Sequence, residues 1–284
     1  MEGGLRRPGH SQAEGFRDDP EGKAVQRALF HFPAWTTMAA SVRASALRAG
    51  RAFEQLSVEP RMPPRPGSLS ERPSLAHPLA NWMIPSEPGV AEARAAEGQI
   101  AASASASFHA ALNRSSPQAF IKALEEIGSR LLGEPTAIRA SGAATIAGGD
   151  GRYVRYPSPD TILARLDELH AVLQRSRGEP PVFSAALALV AITNCHPFKD
   201  GNGRVARIVF NLVLWGGDGK GPYIPLYDLG NRPWGSLTLF MRAAELHEEW
   251  EELFEFLVAA FEVSRMRGAD LEVQRRDMAS HRRD

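Results

Sequence analysis

The chain has 284 residues, 43% of them hydrophobic, and its 33 basic and 33 acidic residues give a formal net charge of zero. This composition can supply a sizeable core, and the neutral balance argues against nucleic acid as the main partner. Cys195 is the single cysteine, which excludes an internal disulfide framework and fits a reducing, cytoplasmic compartment. The sequence shows neither a secretory signal nor an apolar run of the about 18 residues that would cross a membrane.

The first part of the chain divides by composition. Residues 1–24 are rich in Gly, Arg, Glu and Asp without periodicity, and we predict disorder there. One or two helices are predicted over residues 25–57, and a proline-rich linker is predicted over residues 59–88. The sequence assigns no role to the N-terminal region formed by residues 25–86. The arginines at 43, 48 and 51 could contact nucleic acid, but the acidic residues near them favour a solvated helix face.

A short helix is predicted next, from Glu87 to Glu97. Pro88 lies in its first turn, where proline is tolerated, and Gly98 stands at its end. A further helix opens at Ser116-Pro117 and runs to Leu132.

Residues 137–156 are the only strand-like part of the sequence. Two extended stretches, 137–147 and 152–156, flank a Gly-Gly-Asp-Gly turn at 148–151, which predicts a β-hairpin. Helices are then predicted at about 159–174, 183–194, 205–215, 233–244 and 247–263, followed by a charged tail at 264–284. The fold class is therefore mainly α with one small hairpin.

The loop at 196–204 separates two of these apolar helices and reads HPFKDGNGR. Pro197 and Gly201 end the first helix. Gly201, Asn202 and Gly203 can present successive backbone N–H groups that lead into the N-terminus of the next helix, which is a site that favours phosphate. Cys195 precedes the loop and invites a Cys–His nucleophile interpretation, but adjacent helical residues diverge, so we interpret it as a core filler.

The charged side chains of this loop add the rest of a phosphoryl-transfer site. Arg204 and Arg207 are three residues apart and can project from one helix face towards a polyphosphate. Asp200 offers the hard oxygen that Mg²⁺ prefers, and His196 can take a proton near neutral pH. These parts suit the transfer of a nucleotidyl or phosphoryl group to a hydroxyl.

Residues 196–207, HPFKDGNGRVAR, resemble the Fic motif HPFx(D/E)GNGRxxR at every defined position. Fic proteins are mostly AMP transferases that move AMP from ATP to a Ser, Thr or Tyr hydroxyl of another protein. The resemblance implies that His196 is the general base, that Asp200 binds Mg²⁺ and that residues 201–203 bind the α- and β-phosphates. It places Arg207 at the γ-phosphate.

Two further segments are similar to elements of the family. Glu97-Gly98 matches the end of the inhibitory pattern (S/T)xxxE(G/N), although Ala93 replaces the Ser or Thr. The resemblance implies that the helix at 87–98 is inhibitory, with Glu97 pairing with Arg207 and displacing the γ-phosphate. It also implies that the hairpin at 137–156 is a flap that clamps the target by strand addition; a merely structural hairpin is the alternative.

The resemblance covers residues 87–263 and implies a Fic-type helical bundle with ATP as substrate and Mg²⁺ as cofactor. The expected function is protein adenylyltransfer restrained by Glu97. Alternatives are removal of AMP from a modified protein, transfer of another phosphate-bearing group, and a nucleotide-sensing module without turnover. The partner is a target protein, and a second copy of the chain is a further candidate. Adenine contacts are expected near Tyr227, Asn231 and Trp234.

Overall fold

A computed structural model describes residues 24–26, 31–58, 90–144, 153–218, 221, 223–226 and 236–265. These residues are mainly helical, as the sequence predicts. Two short strands pair in parallel, and single turns of 3₁₀-helix occupy Trp35–Thr37, Ser176–Gly178 and Gly216–Asp218. The strands are β1 (Ala24–Gln26) and β2 (Tyr153–Arg155); the helices are α1 (Ala40–Val58), α2 (Val90–Leu112), α3 (Pro117–Leu132), α4 (Pro159–Arg175), α5 (Pro181–Cys195), α6 (Asn202–Trp215), α7 (Ser236–His247) and α8 (Trp250–Arg265).

Helix α5 is the centre of the core. Its sequence is almost wholly apolar, and every side chain from Val182 to Ile192 is buried. Helix α6 packs along it, α1 packs on α8, and α2 packs on both α3 and α6. Because α5 ends and α6 begins at the polar loop, this loop has a rigid helix on each side.

The N-terminal prediction of helix over 25–57 is partly wrong. Residues 24–26 form β1, which pairs with β2 in the register Val25 to Val154, and α1 begins only at Ala40. Pro33 accounts for the difference, because proline biases the residue before it towards extended backbone and breaks any helix that would cross it. The predicted linker at 59–88 lies outside the described residues, as do residues 1–23.

The helix predicted to end at Gly98 does not end there. Helix α2 continues through Gly98 to Leu112. A single internal glycine costs only about 1 kcal/mol relative to alanine, and burial of Ala104, Phe108 and Ala111 on the continuing turns offsets it. Residues 90–98 of the predicted inhibitory segment are therefore the first part of a long helix anchored in the core.

The hairpin is only partly within the described residues. The Tyr156 N–H donates to the Ala143 carbonyl at 2.9 Å, and Ala144 forms a single antiparallel bridge with Arg155. The predicted turn at 148–151 lies outside the described residues, so the hairpin stays a prediction. Among the described residues, no helix is both long and apolar enough to cross a membrane.

Candidate active site

His196 terminates α5 in the left-handed backbone region, with φ 47° and ψ 59°. Its N–H still donates to the Ile192 carbonyl at 2.9 Å, so it serves as the C-cap that Gly normally provides. His196 is half-buried rather than sealed in the core, although its Nδ1 is buried. The imidazole stacks on the Tyr156 ring with centroids 3.8 Å apart and planes 12° apart. The candidate base thus lies beside the loop, and Cys195 next to it is buried in the core.

Cys195 is only 2% exposed. Burial raises the pKa of its thiol to about 12. The nucleophilic form of cysteine is the thiolate, so this thiol is unreactive at neutral pH, in agreement with its interpretation as a core filler.

The loop between α5 and α6 is closed by Asn202. Its Oδ1 accepts the Phe198 N–H and its Nδ2 donates to the Phe198 carbonyl, both at 2.8 Å. Gly201, with φ 77°, is the N-cap of α6, and its carbonyl accepts the first helical bond from the Val205 N–H. The N–H groups of residues 202–204 therefore fall in the first turn of α6, where helix geometry provides no carbonyl for them.

Asp200 lies at the exposed edge of this turn. One oxygen accepts the Gly201 N–H at 2.6 Å and the other lies 3.5 Å from Arg204 Nη2, while 70% of the side chain stays exposed. Such a carboxylate fits a hard divalent cation. The described residues contain no cluster of three or more His, Cys, Asp or Glu that could hold a metal, so phosphate oxygens would have to supply further ligands for Mg²⁺ at Asp200.

Arg204 and Arg207 do not share one environment. Arg204 is half-exposed and faces Asp200, whereas Arg207 is buried. The Arg207 guanidinium makes two bonds to Glu97, from Nη2 to Oε1 at 2.7 Å and from Nε to Oε2 at 3.3 Å. The contact expected from the resemblance is therefore present, and its inhibitory role stays a prediction.

Tyr223 is a third member of this buried cluster, and sequence reasoning missed it. Its hydroxyl donates to Glu97 Oε2. Burial and the neighbouring Glu97 charge raise the pKa of Tyr223 well above its ordinary value, so the phenol remains a donor. Asn211 fixes the segment that carries it, because Oδ1 accepts the Ile224 N–H at 2.7 Å and Nδ2 donates to the Ile224 carbonyl at 3.2 Å.

Arg139 is a second residue that sequence reasoning missed. It is 3% exposed, and its Nε donates to the His196 carbonyl at 2.7 Å. A signal was present in the sequence, since Arg139 is the only charged residue between Glu134 and Asp150. The residues proposed for adenine contact, Tyr227, Asn231 and Trp234, lie outside the described residues.

A family model and a curated protein each match part of the chain. Residues 105–214 match the model of the Fic/DOC family. A protein adenylyltransferase, Fic-1 of Caenorhabditis elegans, is 31% identical over 91 residues, which are 31% of this chain and 18% of that protein. The chain thus spans less than a fifth of the length of this curated relative.

Two solved structures are similar to the chain. A Fic family protein from Desulfovibrio desulfuricans G20 is 13% identical, with a TM-score of 0.48 over 88% of this chain and 78% of the other. A fragment of C. elegans Fic-1 is 18% identical, with a TM-score of 0.47 over 84% and 74% of the two chains. The matched motif and the family model together identify residues 105–214 of this chain as a domain of the Fic/DOC family.

Proposed function

We propose that the protein transfers AMP from ATP to a hydroxyl of a target protein and that Glu97 restrains this activity. The observation that carries the proposal is the placement of His196 at the end of α5, one short loop from the first turn of α6. The relative from C. elegans, named as a protein adenylyltransferase, supports this choice of reaction.

In the proposed reaction, the amides of residues 202–204 and the Arg204 and Arg207 side chains hold the triphosphate. His196 takes the proton of the target hydroxyl, and that oxygen attacks the α-phosphorus. The bond from the α-phosphorus to its bridging oxygen breaks, and pyrophosphate leaves. Mg²⁺ held at Asp200 would supply charge neutralisation on the phosphates.

The same contacts support the restraint. Arg207 can offer its guanidinium fork to a phosphate only when Glu97 does not occupy it, because both anions compete for the same donors. Since the Glu97–Arg207 pair is buried, removing Glu97 alone leaves an uncompensated charge. A phosphate in its place would restore the balance.

The test is incubation of the protein with radiolabelled ATP, Mg²⁺ and a lysate, followed by mass spectrometry for an AMP adduct. We expect Glu97→Gly to raise labelling by about 5- to 150-fold, which corresponds to a restraint of about 1–3 kcal/mol. In that background, His196→Ala should lower labelling by about 10² to 10⁴-fold. If the His196→Ala variant still labels proteins at the original rate, the proposed mechanism is wrong.

A thermal-shift assay separates nucleotide binding from chemistry. ATP should raise the melting temperature of Glu97→Gly more than that of the wild type, because at a fixed ATP concentration a ligand that binds more tightly stabilises the folded state more. Glu97→Gln is the matched control, since it keeps the size of the side chain and removes its charge. ATP binding without an adduct on any protein would favour a nucleotide sensor, and loss of AMP release in Glu97→Gly would favour AMP removal.

A further inference from the structure

The candidate base occupies a strained position in the backbone. A residue with a side chain in the left-handed region costs about 1–2 kcal/mol relative to ordinary helical backbone, and His196 has φ 47°. Such conformations persist only where the surroundings over-determine them.

Arg139 holds the main chain on both sides of the imidazole. Its guanidinium donates to the carbonyls of His196 at 2.7 Å and Cys195 at 3.5 Å, and its own N–H donates to the Pro197 carbonyl at 2.8 Å. The carbonyls at the end of α5 carry partial negative charge, so a buried cation is favourable there. Three consecutive residues around the base are thus tied to Arg139, two through its side chain and one through its backbone N–H.

The same guanidinium reaches the segment that leads back from β2. Arg139 Nη1 donates to the Ser141 carbonyl at 2.7 Å, and Nη2 donates to the Pro157 carbonyl. Every hydrogen bond of this side chain within the described residues goes to a backbone carbonyl. A buried guanidinium whose donors are satisfied in this way fixes the relative positions of the three chain segments that it contacts, at 195–196, at Ser141 and at Pro157.

Tyr156 holds the imidazole itself. The two rings are 3.8 Å apart and nearly parallel, which restricts rotation of the imidazole plane. Tyr156 is in turn tied to Ala143 by its own N–H. The two ends of the segment from Arg139 to Pro157 therefore meet, and each end contacts His196.

We propose that Arg139 and Tyr156 are positioning residues for His196, Arg139 through the main chain and Tyr156 through the ring. The proposal rests on the proposed function for the reaction it serves. The lysine variant at 139 keeps the charge, but a single ammonium cannot replace the guanidinium fork.

The first test measures kinetics in the Glu97→Gly background. We expect Arg139→Lys and Tyr156→Leu each to lower kcat by about 10- to 100-fold, because a small misplacement of a reacting group has an effect of this size. The dissociation constant for ATP should change less than about twofold, since neither side chain lies at the phosphate site. Added guanidinium chloride, well below denaturing concentration, should restore part of the activity that Arg139→Ala loses. It should leave the activity of Arg130→Ala unchanged, because Arg130 is an exposed residue on α3 and serves as the control.

Tyr156→Phe keeps the ring face and should be at least about tenfold more active than Tyr156→Leu, so a merely structural role is separated from positioning. Retention of kcat in both Arg139→Lys and Tyr156→Leu would overturn the proposal, as would a loss of ATP affinity equal to the loss of kcat. Thermal melts of each variant confirm that it is folded at the assay temperature.

The second test does not depend on activity. In a protein with labelled histidine, the His196 ring signal, assigned through His196→Gln, should carry a ring-current shift from Tyr156. Tyr156→Phe should keep this shift, whereas Tyr156→Leu should lose it and Arg139→Lys should change it. An unchanged His196 signal in both Tyr156→Leu and Arg139→Lys overturns the positioning proposal, whether or not the protein transfers AMP to any target. If the expected shifts are seen but no AMP transfer is detected, only the proposed function is contradicted.

Discussion

Glu97 and Arg207 are 110 residues apart in the sequence, and their side chains meet at 2.7 Å in the interior. The pair joins the first part of α2 to the first turns of α6, where the triphosphate is proposed to bind. Arg207 lies within the segment that matches the family model, and Glu97 lies before it. The contact therefore connects the matched domain to the part of α2 that precedes the match.

Tyr223→Phe should weaken the proposed restraint without removing it. A hydrogen bond to a charged group is among the stronger ones in proteins, so loss of the hydroxyl that donates to Glu97 should raise labelling several-fold over the wild type, but by less than Glu97→Gly does. The measurement is the initial rate of label incorporation. In the Glu97→Gly background the same substitution should have no effect, because its partner is gone; an equal rise in both backgrounds would contradict the contact as the cause.

Gly98→Leu should also release the restraint. A Cβ at this position would lie 3.3 Å from Tyr223 Cβ, which is tighter than ordinary van der Waals contact, so the Tyr223 side chain would have to shift. We expect labelling to rise several-fold, towards that of Glu97→Gly, with Glu97 still present. Ala95→Leu, on an exposed position of the same helix, is the control. Labelling by Gly98→Leu that equals the control would show that Tyr223 can move without cost.

His196→Gly should be more stable than His196→Ala. Both variants lose the imidazole and its stack on Tyr156, but glycine adopts φ 47° freely. The expected difference is about 1 kcal/mol, which corresponds to about 2–4 °C in Tm for a chain of this order of size. Thermal denaturation measures it, and both variants should lack transfer activity. Equal Tm values would mean that the backbone at 196 relaxes when the ring is removed.

Cys195 should resist thiol reagents in the folded protein. Its folded pKa of about 12 lies above the ordinary value of 9.0, so folding favours the protonated thiol. This contribution to stability is fully present below about pH 9 and decreases as the pH rises towards 12. Modification by a chromogenic disulfide reagent at pH 8 should appear only with unfolding, and Cys195→Ala should retain labelling activity. Rapid modification of the native protein would contradict the buried position.

Local signals explain what was predictable. Helices α3 and α4 begin at Ser-Pro pairs, and α3 ends where Gly133 takes φ 73°, because these residues act on the backbone they belong to. The loop between α5 and α6 was likewise readable, since proline, glycine and charge interrupt two apolar helices. Gly98 was misread for the same reason. As a local signal it indicated a helix end, but packing of the later turns of α2 carries the helix past it.

The sequence by itself determined the helical class, the apolar α5 and the polar loop after it, for which phosphate binding and proton acceptance are proposed, because each depends on neighbours within a few positions. Only the tertiary structure decided that Tyr223 meets Glu97 across 126 residues and that Arg139 holds the carbonyl of His196. Such contacts depend on how separate helices pack, and no periodicity in either partner encodes the other. Packing around α5 and α6 brings Arg139 to the loop and brings Glu97 and Tyr223 to Arg207 on α6.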